Sequence, residues 1–231
     1  LLIRAALSAM KLEDSSEIAA AIQVDAENAG KLADKRRSRT RDYFDSVASD
    51  WHNIRETALG QENFLDLVTE QIEPEETILE LGCGSGALLD LLAPRPGSTM
   101  GVDCSEAMLE EARKKLGSRS STVDLRLGYV EHLPVGDESI DTVIGYMVLH
   151  HTTNPRDALA DSFRVLKTGG SCILVDLMPH DKEYMRERFA DVWLGFSPSQ
   201  VQEWLESLGF HSVTTRVLGE KQEVFMAICK K

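Results

Sequence analysis

Three glycines within five positions, followed by an aspartate after the next apolar run, form the pattern with the clearest chemical use in this sequence. Residues 78–86 read ILELGCGSG, and residues 101–103 read GVD. Because glycine has no Cβ, backbone at such a turn can pass close to a ligand. A carboxylate at the end of the neighbouring strand can accept hydrogen bonds from both hydroxyls of a ribose. The pattern therefore predicts a nucleoside-binding site.

Histidines supply the second set of chemically useful residues. His150 and His151 follow an apolar run at 140–146, and His180 follows another at 170–177. The carboxyl ends of strands in open α/β sheets are where ligands bind, so His151 is the candidate for contact with a second substrate. The alternative is that His150 and His151 cap a helix or pack in a cleft wall. His180 could face a substrate or a metal, or lie in a solvated loop; three close ligands are not evident, and no metal site is expected.

Composition excludes several classes of protein. The 231 residues carry a net charge of −13, which disfavours binding to a phosphate backbone, so no direct nucleic-acid contact is expected. No apolar run reaches the roughly 20 residues of a membrane span, and no leader pattern opens the sequence. The four cysteines include no CxxC pair, which argues against a zinc knuckle. A soluble, cytoplasmic protein of a reducing compartment is expected.

Hydrophobic periodicity predicts helices first and then alternating strands and helices. The expected N-terminal helices cover residues 1–10, 16–23, 26–46 and 62–72, and a sheet begins at residue 77. Strands are predicted at 77–81, 98–103, 122–127, 140–146, 170–177, 212–218 and 223–230. Helices are predicted at 86–92, 105–116, 154–166, within 179–189 and at 197–208, with Ser105 as an N-cap and residues 167–170 as a helix stop. The last two strands share a tight turn, so the final strand must be antiparallel.

Five motifs in register resemble those of class I S-adenosylmethionine-dependent methyltransferases, in particular the branch of the ubiquinone and menaquinone methyltransferases. They lie at residues 80–86, 101–105, 131–134, 149–151 and 166–170. The resemblance implies an α/β fold: a Rossmann-like, mostly parallel, doubly wound sheet of seven strands with an antiparallel last strand, preceded by N-terminal helices. It also implies S-adenosyl-L-methionine as cofactor, S-adenosyl-L-homocysteine as product and a small-molecule methyl acceptor.

The resemblance also assigns roles to individual residues. The glycine turn would lie under the methionine part of the cofactor, Glu80 would hold its ammonium and Asp103 would accept from the ribose. Family members commonly read Gly-Asp-Ala-Glu where this chain has residues 128–131, GYVE, so adenine recognition is expected to depend on the Val130 amide and on ring contacts. The cofactor-binding residues implied are Tyr43, Glu80, Gly82, Cys83, Gly84, Ser85, Gly86, Asp103, Cys104, Met108, Tyr129, Val130, Glu131, Tyr146 and Met147.

Two other interpretations of the glycine turn remain open. The turn could be only a tight strand-to-helix connection, with Asp103 capping the next helix. A nicotinamide site would require Gly-x-Gly-x-x-Gly, whereas the spacing here is Gly-x-Gly-x-Gly.

A second resemblance concerns the N-terminal region and suggests a different function. Several segments are similar to bacterial fusions of an ArsR-type winged-helix repressor with a methyltransferase-like domain: the basic residues within 31–41, the aromatic residues Tyr43, Phe44 and Trp51, and residues 179–181, 188–190 and 193–196. The alternatives are that the basic residues form a solvated helix face and that the aromatic residues pack a helix on the sheet. Residues 1–40 would then be a helical linker or dimerising segment and residues 41–231 the methyltransferase domain with its aromatic lid. A homodimer is expected, with DNA contacted only through an upstream domain. The alternative function is a non-catalytic sensor of S-adenosylmethionine or S-adenosylhomocysteine.

Overall fold

A computed structural model of the chain describes residues 15–54, 64–95 and 97–231. These residues divide into two compact units after Ser38. The predicted helix at 1–10 lies outside the described residues. None of the helices in the described ranges is both long and apolar enough to cross a membrane.

Helices and strands alternate along the second unit, as the periodicity predicted. The helices are α1 (Ser15–Val47), α2 (Leu65–Thr69), α3 (Ala87–Leu92), α4 (Glu106–Leu116), α5 (Pro155–Val165), α6 (Tyr184–Arg188) and α7 (Pro198–Leu208). The strands are β1 (Thr77–Leu81), β2 (Ser98–Asp103), β3 (Val123–Leu127), β4 (Ile140–Tyr146), β5 (Leu166–Leu177), β6 (His211–Leu218) and β7 (Val224–Lys230). Short 3₁₀ turns occupy Ala48–Asp50, Gly117–Ser121 and Leu149–His151.

The seven strands form one sheet in the order β3-β2-β1-β4-β5-β7-β6. Strands β1 to β5 pair in parallel, and β7 inserts antiparallel between β5 and β6. The predicted Rossmann-like sheet with an antiparallel last strand is therefore confirmed. The strand order reverses between β2-β1 and β4, which places a crevice at the carboxyl ends of β1 and β4.

Hydrophobic side chains cover both faces of this sheet. On β1, Leu79 and Leu81 belong to the cluster that includes Leu159 of α5 and Leu205 of α7, whereas Ile78 belongs to the opposite cluster with α2 and α3. Successive residues of a strand face opposite sides, so a strand buried on both sides reads as a continuous apolar run. The sequence of β1, TILEL, is apolar at Ile78, Leu79 and Leu81 and is interrupted by the buried Glu80.

Several element boundaries differ from the sequence predictions by one residue, and larger differences concern β5, α1 and α2, which ends at Thr69 and not at residue 72. Strand β5 begins at Leu166, four residues before the predicted Gly170, because Leu166 pairs with Ile140 across a register shift. Residues 167–170 therefore lie in a strand and are not a helix stop. The two predicted helices at 16–23 and 26–46 form one helix, α1. Residues 24–25, which separate the two predictions, are neither glycine nor proline and do not interrupt the helix.

Candidate cofactor and acceptor site

The glycine turn after β1 has the backbone geometry that its sequence predicted. Gly82, Gly84 and Gly86 have φ angles of +58°, +51° and +78°, a region that residues with a Cβ rarely adopt. A Cβ on Gly82 would lie 2.3 Å from Cγ2 of Val148, and one on Gly86 would lie 3.0 Å from Cβ of Ala112. Within the described part of the chain, a Cβ on Gly84 would meet only the Trp51 ring nitrogen, at 3.7 Å. Gly82 and Gly86 are thus required by packing, whereas Gly84 borders the crevice.

Asp103 at the end of β2 connects the glycine turn to the start of α4. Its Oδ2 accepts from the Gly84 amide at 2.8 Å and its Oδ1 accepts from the Ser105 amide at 2.9 Å. Desolvation raises the pKa of this carboxyl group to about 6, although hydrogen bonds from those amides oppose the shift. A carboxylate can accept about four hydrogen bonds, so Asp103 keeps acceptor capacity for a ribose hydroxyl.

The helix after β2 is capped by Ser105, as predicted. The Ser105 hydroxyl accepts from the Met108 amide at 3.1 Å and donates to Oδ1 of Asp45 at 2.6 Å. Ser105 therefore caps α4, and its hydrogen bond to Asp45 connects the end of α1 with the start of α4, next to Asp103.

The segment after β3, which would contact the adenine, is fixed from behind by α5. Arg164 donates to both carboxylate oxygens of Asp161, at 2.7 and 2.9 Å, and to the carbonyls of Leu133 and Val135 at 3.1 and 2.8 Å. Glu131 is buried, and its carboxylate accepts from the Thr153 amide at 2.9 Å. The hydrogen bond from Thr153 to Glu131 therefore holds the residues just before α5 in place.

An aromatic cluster from the N-terminal side covers the turn after β4. The ring of Phe44 packs edge-on against Trp51 at 5.1 Å and against His151 at 5.0 Å between centroids. The Tyr43 hydroxyl donates to the carbonyl of Arg188 at 2.7 Å. The structure thus brings together the predicted lid, the glycine turn and His151.

His150 and His151 have different surroundings within the turn after β4. Burial alone would lower the pKa of His150, but its contact with Asp176, 2.7 Å from Nδ1 to Oδ1, raises it. Burial and the neighbouring His150 lower the pKa of His151 well below its usual value. Asp191, which sequence reasoning missed, lies 3.6 Å from Nδ1 of His151, and burial raises its pKa to about 6.

The remaining predicted site residues are distributed around the same edge of the sheet. Met108 is buried, Cys104 and Tyr129 are half-buried, and the hydroxyl of Tyr146 accepts from the Phe64 amide at 3.4 Å. Nδ1 of His180 accepts from the Lys182 amide at 3.3 Å, and the charges of Lys182 and His150 add to burial in lowering the pKa of His180. The signal for Asp191 in the sequence was only a lone acid between apolar residues.

Comparison with known proteins agrees with this geometry. Residues 79–174 match the family described as methyltransferase domain. The chain is 30% identical over 160 residues to an arsenite methyltransferase of Halobacterium salinarum, covering 65% of this chain and 41% of that protein. It is 28% identical to a demethylmenaquinone methyltransferase of Symbiobacterium thermophilum, covering 71% and 69%. The family match over residues 79–174 and these relatives support a class I S-adenosylmethionine-dependent methyltransferase domain in this chain.

Solved structures share the fold of this chain, and the sequence matches cover only part of some relatives. A solved structure described as an S-adenosylmethionine-dependent methyltransferase of Thermotoga maritima superposes with a TM-score of 0.64 at 22% identity, covering 83% of this chain and 99% of that one. This likeness concerns the fold alone. The chain spans 30% and 41% of the length of two of the curated relatives that it matches. The cofactor that the methyltransferase domain implies is S-adenosylmethionine.

Proposed function

We propose that this chain transfers a methyl group from S-adenosylmethionine to a small-molecule acceptor. The observation that carries the proposal is the meeting of three features at one edge of the sheet: the glycine turn with Asp103, the turn with His151, and the lid of Phe44 and Trp51. The bound cofactor supplies a methyl group already activated on a sulfonium. The chain therefore has to hold, align and shield the reactants.

The cofactor-binding residues belong to this proposal. Asp103 accepts from the ribose hydroxyls, and Glu80, buried at the end of β1, accepts from the ammonium. The glycine turn is supported by its φ angles and by the space above Gly84. The others proposed to contact the cofactor are Tyr43, Cys83, Ser85, Cys104, Met108, Tyr129, Val130, Glu131, Tyr146 and Met147.

His151 is proposed to touch the acceptor. It follows β4 at the carboxyl edge of the sheet, and its ring packs between the lid and His150, with centroids 5.0 Å from Phe44 and 4.0 Å from His150. An acceptor in this position would be enclosed by aromatic rings, which exclude water. The relatives named for arsenite and demethylmenaquinone suggest the first acceptors to test.

The test is transfer of a radiolabelled methyl group to arsenite, to demethylmenaquinone and to other small acceptors. We expect the wild-type chain to transfer the labelled methyl group to at least one of these acceptors. His151→Ala should lower turnover at least about tenfold through lost positioning and leave cofactor affinity unchanged. His211→Ala, at an exposed histidine of β6, is the matched control and should retain turnover. Equal loss of turnover and cofactor affinity in His151→Ala would make His151 structural.

One observation favours a sensor as the second candidate function. The side chain of His151 is only 11% exposed beneath the lid, which leaves little of it open to an acceptor. A sensor would bind S-adenosylmethionine or S-adenosylhomocysteine and bias a fused transcriptional regulator. Tighter binding of the demethylated product, with no methyl transfer to any acceptor, would favour the sensor over the enzyme.

Several finer expectations stay predictions. These are the division into 1–40 and 41–231, the cytoplasmic location, the homodimer, and the lack of direct nucleic-acid contact, which the net charge of −13 supports. Sedimentation of the purified chain would test the homodimer.

A further inference from the structure

A cluster of three metal-ligand side chains lies beneath the lid. One ligand atom from each of His150, His151 and Asp191 falls within 4.8 Å of the other two. The backbone holds the cluster together, because the amides of Val192 and Trp193 donate to the carbonyl of His150 at 2.9 and 3.0 Å. These hydrogen bonds hold the loop that carries Asp191 next to the turn that carries His150 and His151.

The buried Asp191 receives no hydrogen bond from the residues that the structure describes. Its side chain is 1% exposed, and neither carboxylate oxygen has a hydrogen-bond partner among those residues. Burying a carboxylate in this state is costly unless a cation compensates. Arg186 is close enough to affect Asp191, but its guanidinium donates to Glu183 at 2.9 Å and to the Val192 carbonyl. Nδ1 of His151, at 3.6 Å, is too far for a hydrogen bond.

His150 is oriented as a metal-binding histidine usually is. Its Nδ1 lies 2.7 Å from Oδ1 of Asp176, and Asp176 in turn accepts from the amides of Leu149 and Leu177 at 2.8 Å each. Histidine ligands of metals almost always donate their second ring nitrogen to such a carboxylate or to a carbonyl. This arrangement leaves Nε2 of His150 as the atom available to a cation.

We propose that His150, His151 and Asp191 bind one divalent first-row transition-metal ion, with Asp176 orienting His150. Two imidazole nitrogens and one carboxylate oxygen are a donor set that suits Zn²⁺, Co²⁺ or Fe²⁺ and leaves coordination positions open. Ligands bonded at about 2.0–2.1 Å in a tetrahedron lie roughly 3.4 Å apart, close to the 3.6 Å between His151 and Asp191. The site goes beyond the proposed function, because metal binding does not depend on methyl transfer.

A proton on His150 is the competing way to balance the buried charge. An imidazolium between Asp176 and Asp191 would need no metal. The two possibilities differ in what the full chain binds, so a metal titration separates them.

The experiment uses the full chain, stripped with a chelator and titrated with Co²⁺ followed by displacement with Zn²⁺. We expect one Co²⁺ per chain with visible ligand-field bands, loss of those bands on adding Zn²⁺, and a higher unfolding temperature with Zn²⁺. Asp191→Asn should weaken the affinity at least about tenfold, and Asp176→Asn by about 10- to 100-fold. The exposed His211→Ala is the control and should bind as the wild type does.

The variants also show whether loss of binding reflects loss of folding. Asp191→Asn removes a buried, unpartnered charge, so its metal-free form should unfold at or above the wild-type temperature. His151→Gln gives a second measurement at another ligand. Failure of the wild-type chain to bind Co²⁺, or undiminished binding by both Asp191→Asn and His151→Gln, would overturn the proposal. Either result can occur with methyl transfer intact, so it would leave the proposed function standing.

Discussion

At the scale of single residues, Asp103 shows how one carboxylate can serve both the fold and a ligand. It accepts from the amides of Gly84 and Ser105, which fixes the glycine turn against α4. Burial and, to a smaller extent, the nearby Asp45 carboxylate raise its pKa to about 6. A group that must be ionised to accept two hydroxyl donors is therefore poised to titrate near neutral pH.

Replacing Asp103 by alanine should weaken cofactor binding by about 1.5–3 kcal/mol, because charged hydrogen bonds to the ribose are lost. In the wild type, affinity should be constant well above pH 6 and fall as the pH drops through about 6, since protonation removes the charged acceptor. Calorimetry across this pH range measures both effects. Asp124→Ala, at the partly exposed Asp124 of β3, is the control. Unchanged affinity in Asp103→Ala would remove Asp103 from the site.

At the scale of elements, the turn between β1 and α3 is shaped as much by its neighbours as by its own residues. Val148, which follows β4, fills the space beside Gly82, so a Cβ there would lie 2.3 Å from Cγ2 of Val148. The turns after β1 and β4 are therefore packed against each other. A change in one displaces the other, and both border the proposed site.

Gly82→Ala should lower the free energy of unfolding by about 2–4 kcal/mol, from a strained φ and from overpacking against Val148. Gly169→Ala is the matched control, because Gly169 has a φ of +82° and an added Cβ would have no atom within 4 Å. Denaturant unfolding of both variants isolates the clash. The double variant with Val148→Ala should recover part of the loss. Equal effects of Gly82→Ala and Gly169→Ala would show that strain alone matters.

At the scale of the whole molecule, distant parts of the chain converge on one edge of the sheet. Asp45 at the end of α1 contacts Ser105 at 2.6 Å, and Phe44 covers His151. The loop before α7 adds Asp191 beneath the same lid. A ligand bound there would contact segments that are far apart in sequence, so its binding should stabilise the domain as a unit.

Saturating S-adenosylhomocysteine should raise the unfolding temperature, because ligand at 100 times its dissociation constant adds about 2.7 kcal/mol. Differential scanning calorimetry measures this shift, and Asp103→Ala should need more ligand to reach it. An unchanged unfolding temperature at saturating ligand would contradict a site built from these converging segments.

The sequence by itself determined the sheet, most element boundaries and the glycine turn with Asp103. The bounds of β1, β2 and β4 agree with the apolar runs, because a buried strand requires mostly apolar residues over a short segment, and the local sequence shows such segments. Only the tertiary structure decided that Asp176 orients His150, that Asp191 faces His151, and that Leu166 joins β5 through Ile140. Those contacts depend on how loops pack across the sheet, and no local pattern records such packing.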